Sequence, residues 1–123
     1  MMHVDHMGIA AKDAKRAAEF LAAILGAPAP TPEGIDDEMF RVDLDNDEFI
    51  LFTTLEKVDF THLAFRVDGE RFAAVDERLR QQKSPFGNDH RDTTNGKTDD
   101  PIGGHGRVYF EDENKHLFEV TWR

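Results

Sequence analysis

The chain has 123 residues, 39% of them hydrophobic, with ten phenylalanines, no cysteine and a formal net charge of −10. That length carries one hydrophobic core of useful size and not two independent domains. The lack of cysteine excludes disulfides, thiolate nucleophiles and cysteine-ligated zinc or iron–sulfur sites, and the acidity argues against a nucleic-acid partner, which needs clustered Lys and Arg.

The first strand is expected over Val4–Ala10. In Val4-Asp5-His6-Met7-Gly8-Ile9 the apolar Met7 and Ile9 point to one face and His6 to the other, because side chains alternate along a strand. A helix follows from about Asp13 to Leu25. Asp13 is a good N-cap, Gly26 suits a left-handed C-terminal position, and Pro28 blocks continuation. Ala17, Phe20, Leu21 and Ile24 form its buried stripe. Residues 27–37, with three prolines, read as a connecting loop. Strands near Met39–Leu44 and Glu48–Thr53 come next, joined by a tight turn through Asp45-Asn46-Asp47.

The plan then repeats. Phe60–Val67 forms a strand whose Leu63 and Phe65 oppose His62, and Asp68 caps a helix with the stripe Phe72, Val75 and Leu79. Short edge strands around residues 34–39 and inside the second long loop are compatible with the sequence but carry no clear signal. The segment from Ser84 to Gly106 is long, polar and glycine-rich. Loops of that length are often lids or substrate-selecting elements, the alternative being a mobile connector. In the lid reading His90, Arg91, Lys97 or His105 meets the substrate.

The chain ends in a hairpin. Val108 and Phe110 must share a buried face with Phe118, Val120 and Trp122, which fixes the register. Phe110 then faces Phe118, Val108 faces Val120, Arg107 faces Thr121, and Tyr109 lies across from Glu119, about 5 Å away at Cβ. His3 is expected at the surface and His116 solvated in the turn. Two histidines and one glutamate from three strands, His6, His62 and Glu119, are the ingredients of a divalent-metal site. Arg41, Arg66 and Arg107 alternate onto the same faces, where they would attract an anionic substrate or pair with some of the 25 acidic residues.

Three segments resemble the vicinal oxygen chelate superfamily, which includes glyoxalase I, bleomycin-resistance proteins, fosfomycin-resistance enzymes and extradiol dioxygenases. They are Val4 to Ile9, Thr61 to Phe65, and Gly106 to Glu119, the last with a Tyr ten residues before the Glu. The resemblance covers nearly the whole chain. It implies an α+β fold of two β-α-β-β-β modules, about residues 1–56 and 57–123, in a single domain over residues 1–123. The modules would form a cupped mixed sheet with the helices outside, around a partly polar cavity. It implies that His6, His62 and Glu119 are metal ligands and that Tyr109 touches substrate.

Two departures matter. Glyoxalase I-like members carry a fourth ligand on the last strand of the first module, where this chain has Leu51, so a three-ligand, dioxygenase-like site is favoured. The thiol-transferase fosfomycin enzymes carry a basic residue well beyond the metal glutamate, whereas this sequence stops at Arg123.

The expected function is a divalent-metal-dependent enzyme acting on a small molecule chelated through adjacent oxygens. Tyr109 and Glu119 are its expected catalytic residues, with Arg41, Arg66, Arg107 and His105 contacting substrate. Fe(II) or Mn(II) is favoured, with Zn(II), Ni(II) or Co(II) as alternatives. The alternative functions are a glyoxalase-type lyase or isomerase, a fosfomycin-modifying enzyme, and a drug- or metabolite-binding resistance protein without catalysis. The resemblance further implies a homodimer, in which His6 meets His62 and Glu119 either within one chain or across the dimer. No apolar stretch approaches the roughly 20 residues of a membrane span. The first nine residues also lack the layout of a secretion signal, so no membrane partner and a cytoplasmic location are expected.

Overall fold

A computed structural model describes residues 1–123 and divides them into two compact units, Met1–Asp59 and Phe60–Arg123. The first unit runs β1 (His6–Ala11), α1 (Ala14–Leu25), β2 (Thr31–Glu33), β3 (Met39–Asp43), β4 (Phe49–Thr54). Its sheet has the order β1-β4-β3-β2, with β1 parallel to β4 and the other pairs antiparallel.

The local signals act as their chemistry dictates. The Asp13 carboxylate accepts from the Arg16 N–H at the start of α1, and Gly26 closes it with φ of 71°, a left-handed conformation that costs glycine least. Ala17, Leu21 and Ile24 are buried, and Phe20 is half-buried. Ile9 and Ala11 of β1, Phe40 and Val42 of β3, and Ile50 and Phe52 of β4 complete this core. The tight turn runs over Asp45–Asp47, with Asn46 and Asp47 both at positive φ. The edge strand β2 forms at Thr31–Glu33, upstream of residues 34–39. Its register pairs Pro32 with Phe40, and proline is tolerated on such an edge because it lacks only a donor.

The second unit runs β5 (His62–Arg66), α2 (Gly69–Gln81), β6 (Gly106–Glu111), β7 (Leu117–Trp122). Its sheet has the order β5-β7-β6, with β5 parallel to β7. Asp68 caps α2 by accepting from the Arg71 N–H. Phe72, Val75 and Leu79 are buried, as are Val108, Phe110, Phe118 and Val120. The hairpin register is the one its alternation demands, with Phe110 opposite Phe118 and Tyr109 opposite Glu119. Gly106 is a close approach: a Cβ there would lie 2.6 Å from the Phe72 ring.

His116 departs from expectation. It is fully buried, not solvated. Its Nδ1 accepts the Thr61 N–H at 3.1 Å, and its own N–H donates to buried Asp112. The turn folds inward because Asp112 gathers the Asn114 and His116 N–H groups, with Lys115 in the left-handed region.

The segment between α2 and β6 is bonded down rather than free. Gly87 forms a two-bond bridge with Tyr109, so it stands at the sheet edge in the place that β2 holds in the first unit. The Asn88 amide donates to the Asp99 carbonyl, and the Arg107 N–H donates to Thr98.

Candidate metal centre and substrate site

In the second unit, the face of the sheet turned away from α2 is defined by alternation. β5 contributes His62, Ala64 and Arg66, β7 contributes Leu117, Glu119 and Thr121, and β6 contributes Arg107, Tyr109 and Glu111. His62 Nε2 and Glu119 Oε1 lie 3.0 Å apart. The imidazole is accessible, its side chain 45% exposed, while Glu119 is buried.

The other Glu119 oxygen, Oε2, accepts from the Arg107 guanidinium in an ion pair. Arg107 also forks onto Asp100, with Nε to Oδ1 at 3.0 Å and a second nitrogen to Oδ2 at 3.4 Å. The Asp100 side chain is almost fully buried. Hydrogen bonding from Arg107 is the main cause holding its carboxyl below the usual range. Nothing in strand spacing singles out Asp100, because its partner is chosen by the loop's path.

Tyr109 is buried, and its ring lies 6.2 Å from His62 and 6.4 Å from His90. Burial raises its phenol pKa, the Glu119 charge adds to the rise, and Arg107 opposes it. The hydroxyl therefore stays protonated near neutral pH, a donor beside Glu119. His105 goes elsewhere: it is exposed and its ring sits 5.0 Å from Trp122, whose indole packs against Gly69 of α2. Arg66 is exposed and donates to the Arg123 carbonyl. Arg91 is also exposed and pairs with Asp89.

In the first unit, His6, Leu51 and Arg41 share the face opposite α1. Phe49 on the central strand is flanked by His6, stacked at 4.7 Å, and by the Arg41 guanidinium 3.7 Å above its ring. Arg41 is also paired with Asp43 at 2.7 Å and Glu33 at 3.4 Å. His6 Nδ1 lies 2.6 Å from Asp5 Oδ2. A carboxylate on one ring nitrogen leaves the other as a metal donor, the usual arrangement for ligating histidines.

No three His, Asp or Glu side chains stand together as a ready metal-holding cluster. The donor chemistry nevertheless fits a hard or borderline divalent ion. Two donors at right angles on one ion, each at about 2.1 Å, stand about 3.0 Å apart, the separation of His62 Nε2 and Glu119 Oε1. The buried Glu119 carboxylate is already fixed by Arg107, so little rotamer entropy remains to be lost on ligation.

No family model matches the chain. No curated protein matches its sequence. Solved structures do. The chain is 30% identical to Oxidase ChaP-H1, with a TM-score of 0.89 over 100% of this chain and 97% of that one. It is 28% identical to Oxidase ChaP-H2, with a TM-score of 0.86 over 99% and 94%. The fosfomycin resistance protein FosX from Listeria monocytogenes shares the fold, with a TM-score of 0.71 at 19% identity over 98% and 91%. The architecture is thus that of the glyoxalase, fosfomycin-resistance and oxidase proteins. The chain belongs to the vicinal oxygen chelate superfamily.

Proposed function

We propose that this protein is a divalent-metal-dependent oxidative enzyme, acting on a small molecule that presents two adjacent oxygens. His62 and Glu119 are two of its metal ligands and His6 is the third. The observation that carries the reading is the pair His62 Nε2 and Glu119 Oε1 at 3.0 Å on one sheet face. Likeness to a protein named as an oxidase favours oxidative chemistry within the superfamily. The aliphatic Leu51, on the same face as His6, supports three protein ligands, the two-histidine, one-carboxylate set of non-haem Fe(II) oxygenases. Fe(II) or Mn(II) is the expected ion, and when bound it supplies Lewis acidity and, for iron, electron exchange with O₂.

The protein's own groups do the rest. Tyr109, held protonated by burial, donates a hydrogen bond to a substrate oxygen beside Glu119. The His62 and His90 rings, tilted by 46° and 60° to the Tyr109 ring between them, give the face a partly aromatic lining suited to a phenolic substrate. Arg107 stays committed to two carboxylates and so fixes Glu119 instead of receiving a substrate anion. A homodimer belongs to the same reading.

Metal analysis after anaerobic reconstitution with Fe(II), Mn(II) or Zn(II) tests this directly. A stoichiometric ion should be bound by the wild type and lost in Glu119→Ala, His62→Ala and His6→Ala, each still folded by circular dichroism. The iron form should consume O₂ with catechols. Stoichiometric metal in all three variants would overturn the ligand assignment, and no metal under any condition would leave a ligand-sequestering protein.

A further inference from the structure

We propose that Asp100 and Arg107 set how strongly Glu119 holds a divalent ion: Arg107 is a built-in competitor for Glu119, and Asp100 limits its strength. The inference rests on the reading of Glu119 as a ligand.

Three charges stand in a row out of water. The Asp100 side chain is 1% exposed, Arg107 11% and Glu119 7%. Arg107 is in contact with a carboxylate on each side. Asp100 is itself fixed by the loop backbone, accepting the Ile102 and Gly104 N–H groups at 3.0 Å each. The guanidinium is charged at any accessible pH, so its grip on Oε2 of Glu119 is permanent. Only Oε1, on the His62 side, is left facing the accessible imidazole.

Two consequences follow from charge alone. Arg107 repels an incoming dication and withdraws one of Glu119's two oxygens, so it weakens metal binding. It also keeps Glu119 a one-oxygen ligand and leaves coordination positions for substrate. Asp100 works the other way. By sharing the guanidinium it reduces the positive charge that Glu119 and the ion experience. Both are positioning residues, since neither needs to touch the ion. Their effects on affinity have opposite signs, which mere support of the fold would not produce.

The test measures Mn(II) dissociation constants with the metal alone, alongside thermal melts. The proteins are the wild type, Asp100→Asn, the double variant Asp100→Asn with Arg107→Met, and Glu119→Ala. Asp100→Asn leaves Arg107 wholly on Glu119 and should weaken Mn(II) by about tenfold. The double variant leaves Glu119 as the one remaining buried charge of the three, with no guanidinium to offset it and Oε2 free, so it should bind Mn(II) more tightly than the wild type, by about tenfold. If Asp100→Asn does not fold, the double variant alone decides. Equal or weaker binding by the double variant overturns the proposal, as does loss in both variants in proportion to lost stability. Glu119-dependent binding in the wild type with no gain in the double variant sinks this inference alone. Wild-type binding that survives Glu119→Ala, or none at all, sinks the ligand assignment and this inference together.

Discussion

Tyr109 stands opposite Glu119 in the β6–β7 ladder and is 7% exposed. Hairpin alternation made this neighbour pair readable, since only one register buries Val108, Phe110, Phe118 and Val120 together. What alternation could not show is that the phenol is covered. The Gly87 bridge lays the loop along β6 at Tyr109. If the protonated hydroxyl donates to substrate, Tyr109→Phe should keep the metal and lower turnover by about tenfold or more. Steady-state kinetics with the metal content of each preparation checks this, and unchanged turnover would leave Tyr109 a lining residue. Arg107 is the matching case among charges: its face was legible, while its commitment to Asp100 was not, because that partner arrives from an irregular segment.

At the scale of elements, His116 ties the β6–β7 turn to the start of β5. The imidazole accepts the Thr61 N–H one residue before His62, so it helps aim the strand that carries the proposed ligand. His116→Ala removes a fully buried ring and takes the partner from the half-buried Thr61 N–H. The expected loss is about 2–4 kcal/mol, seen as a lower denaturant midpoint at unchanged m-value. Metal affinity should fall with it, because the β5 terminus is loosened. The loop of residues 84–106 differs from a mobile connector for a comparable reason. Backbone bonds at Gly87 and Thr98 and the side-chain pair of Asp100 with Arg107 anchor it to β6, and the Asn88 amide braces it internally on the Asp99 carbonyl. It brings His90 to Tyr109 and leaves His105 on Trp122, which separates two histidines that the sequence treats alike.

Across the whole molecule, one plan serves twice: a strand, a capped helix packed on one sheet face, and a polar opposite face with a histidine near its edge. No helix is long and apolar enough to cross a membrane. The acidic chain will lose stability as its paired carboxylates protonate, and Asp100 is the most buried of them in an ion pair. Its folded pKa is lowered, chiefly by the Arg107 hydrogen bond. Its contribution is therefore fully present above the unfolded carboxylate value, about 3.9, and is lost as pH falls through the depressed folded value. Acid unfolding followed by circular dichroism should show a steep loss below about pH 4, shallower in Asp100→Asn. An identical acid limb in the variant would refute the pairing as a source of stability. The homodimer, if present, will show in sedimentation equilibrium as twice the chain mass of 14.0 kDa.

The sequence alone, though not the edge strand β2, determined both helices, their caps, the longer strands, the hairpin register and which face each candidate ligand shares, because these follow from periodicities of two and 3.6 residues and from local capping chemistry. Asp13, Gly26 and Asp68 act through neighbours at most a few residues away, and the Tyr109–Glu119 pairing follows from burying an alternating set. The tertiary structure alone decided what lies against those faces. The burial of His116, the Asp100–Arg107–Glu119 row, the anchoring of residues 84–106 and the parting of His90 from His105 all join residues through irregular backbone. Its path is set by hydrogen bonds and desolvation summed over many groups, which no local period encodes.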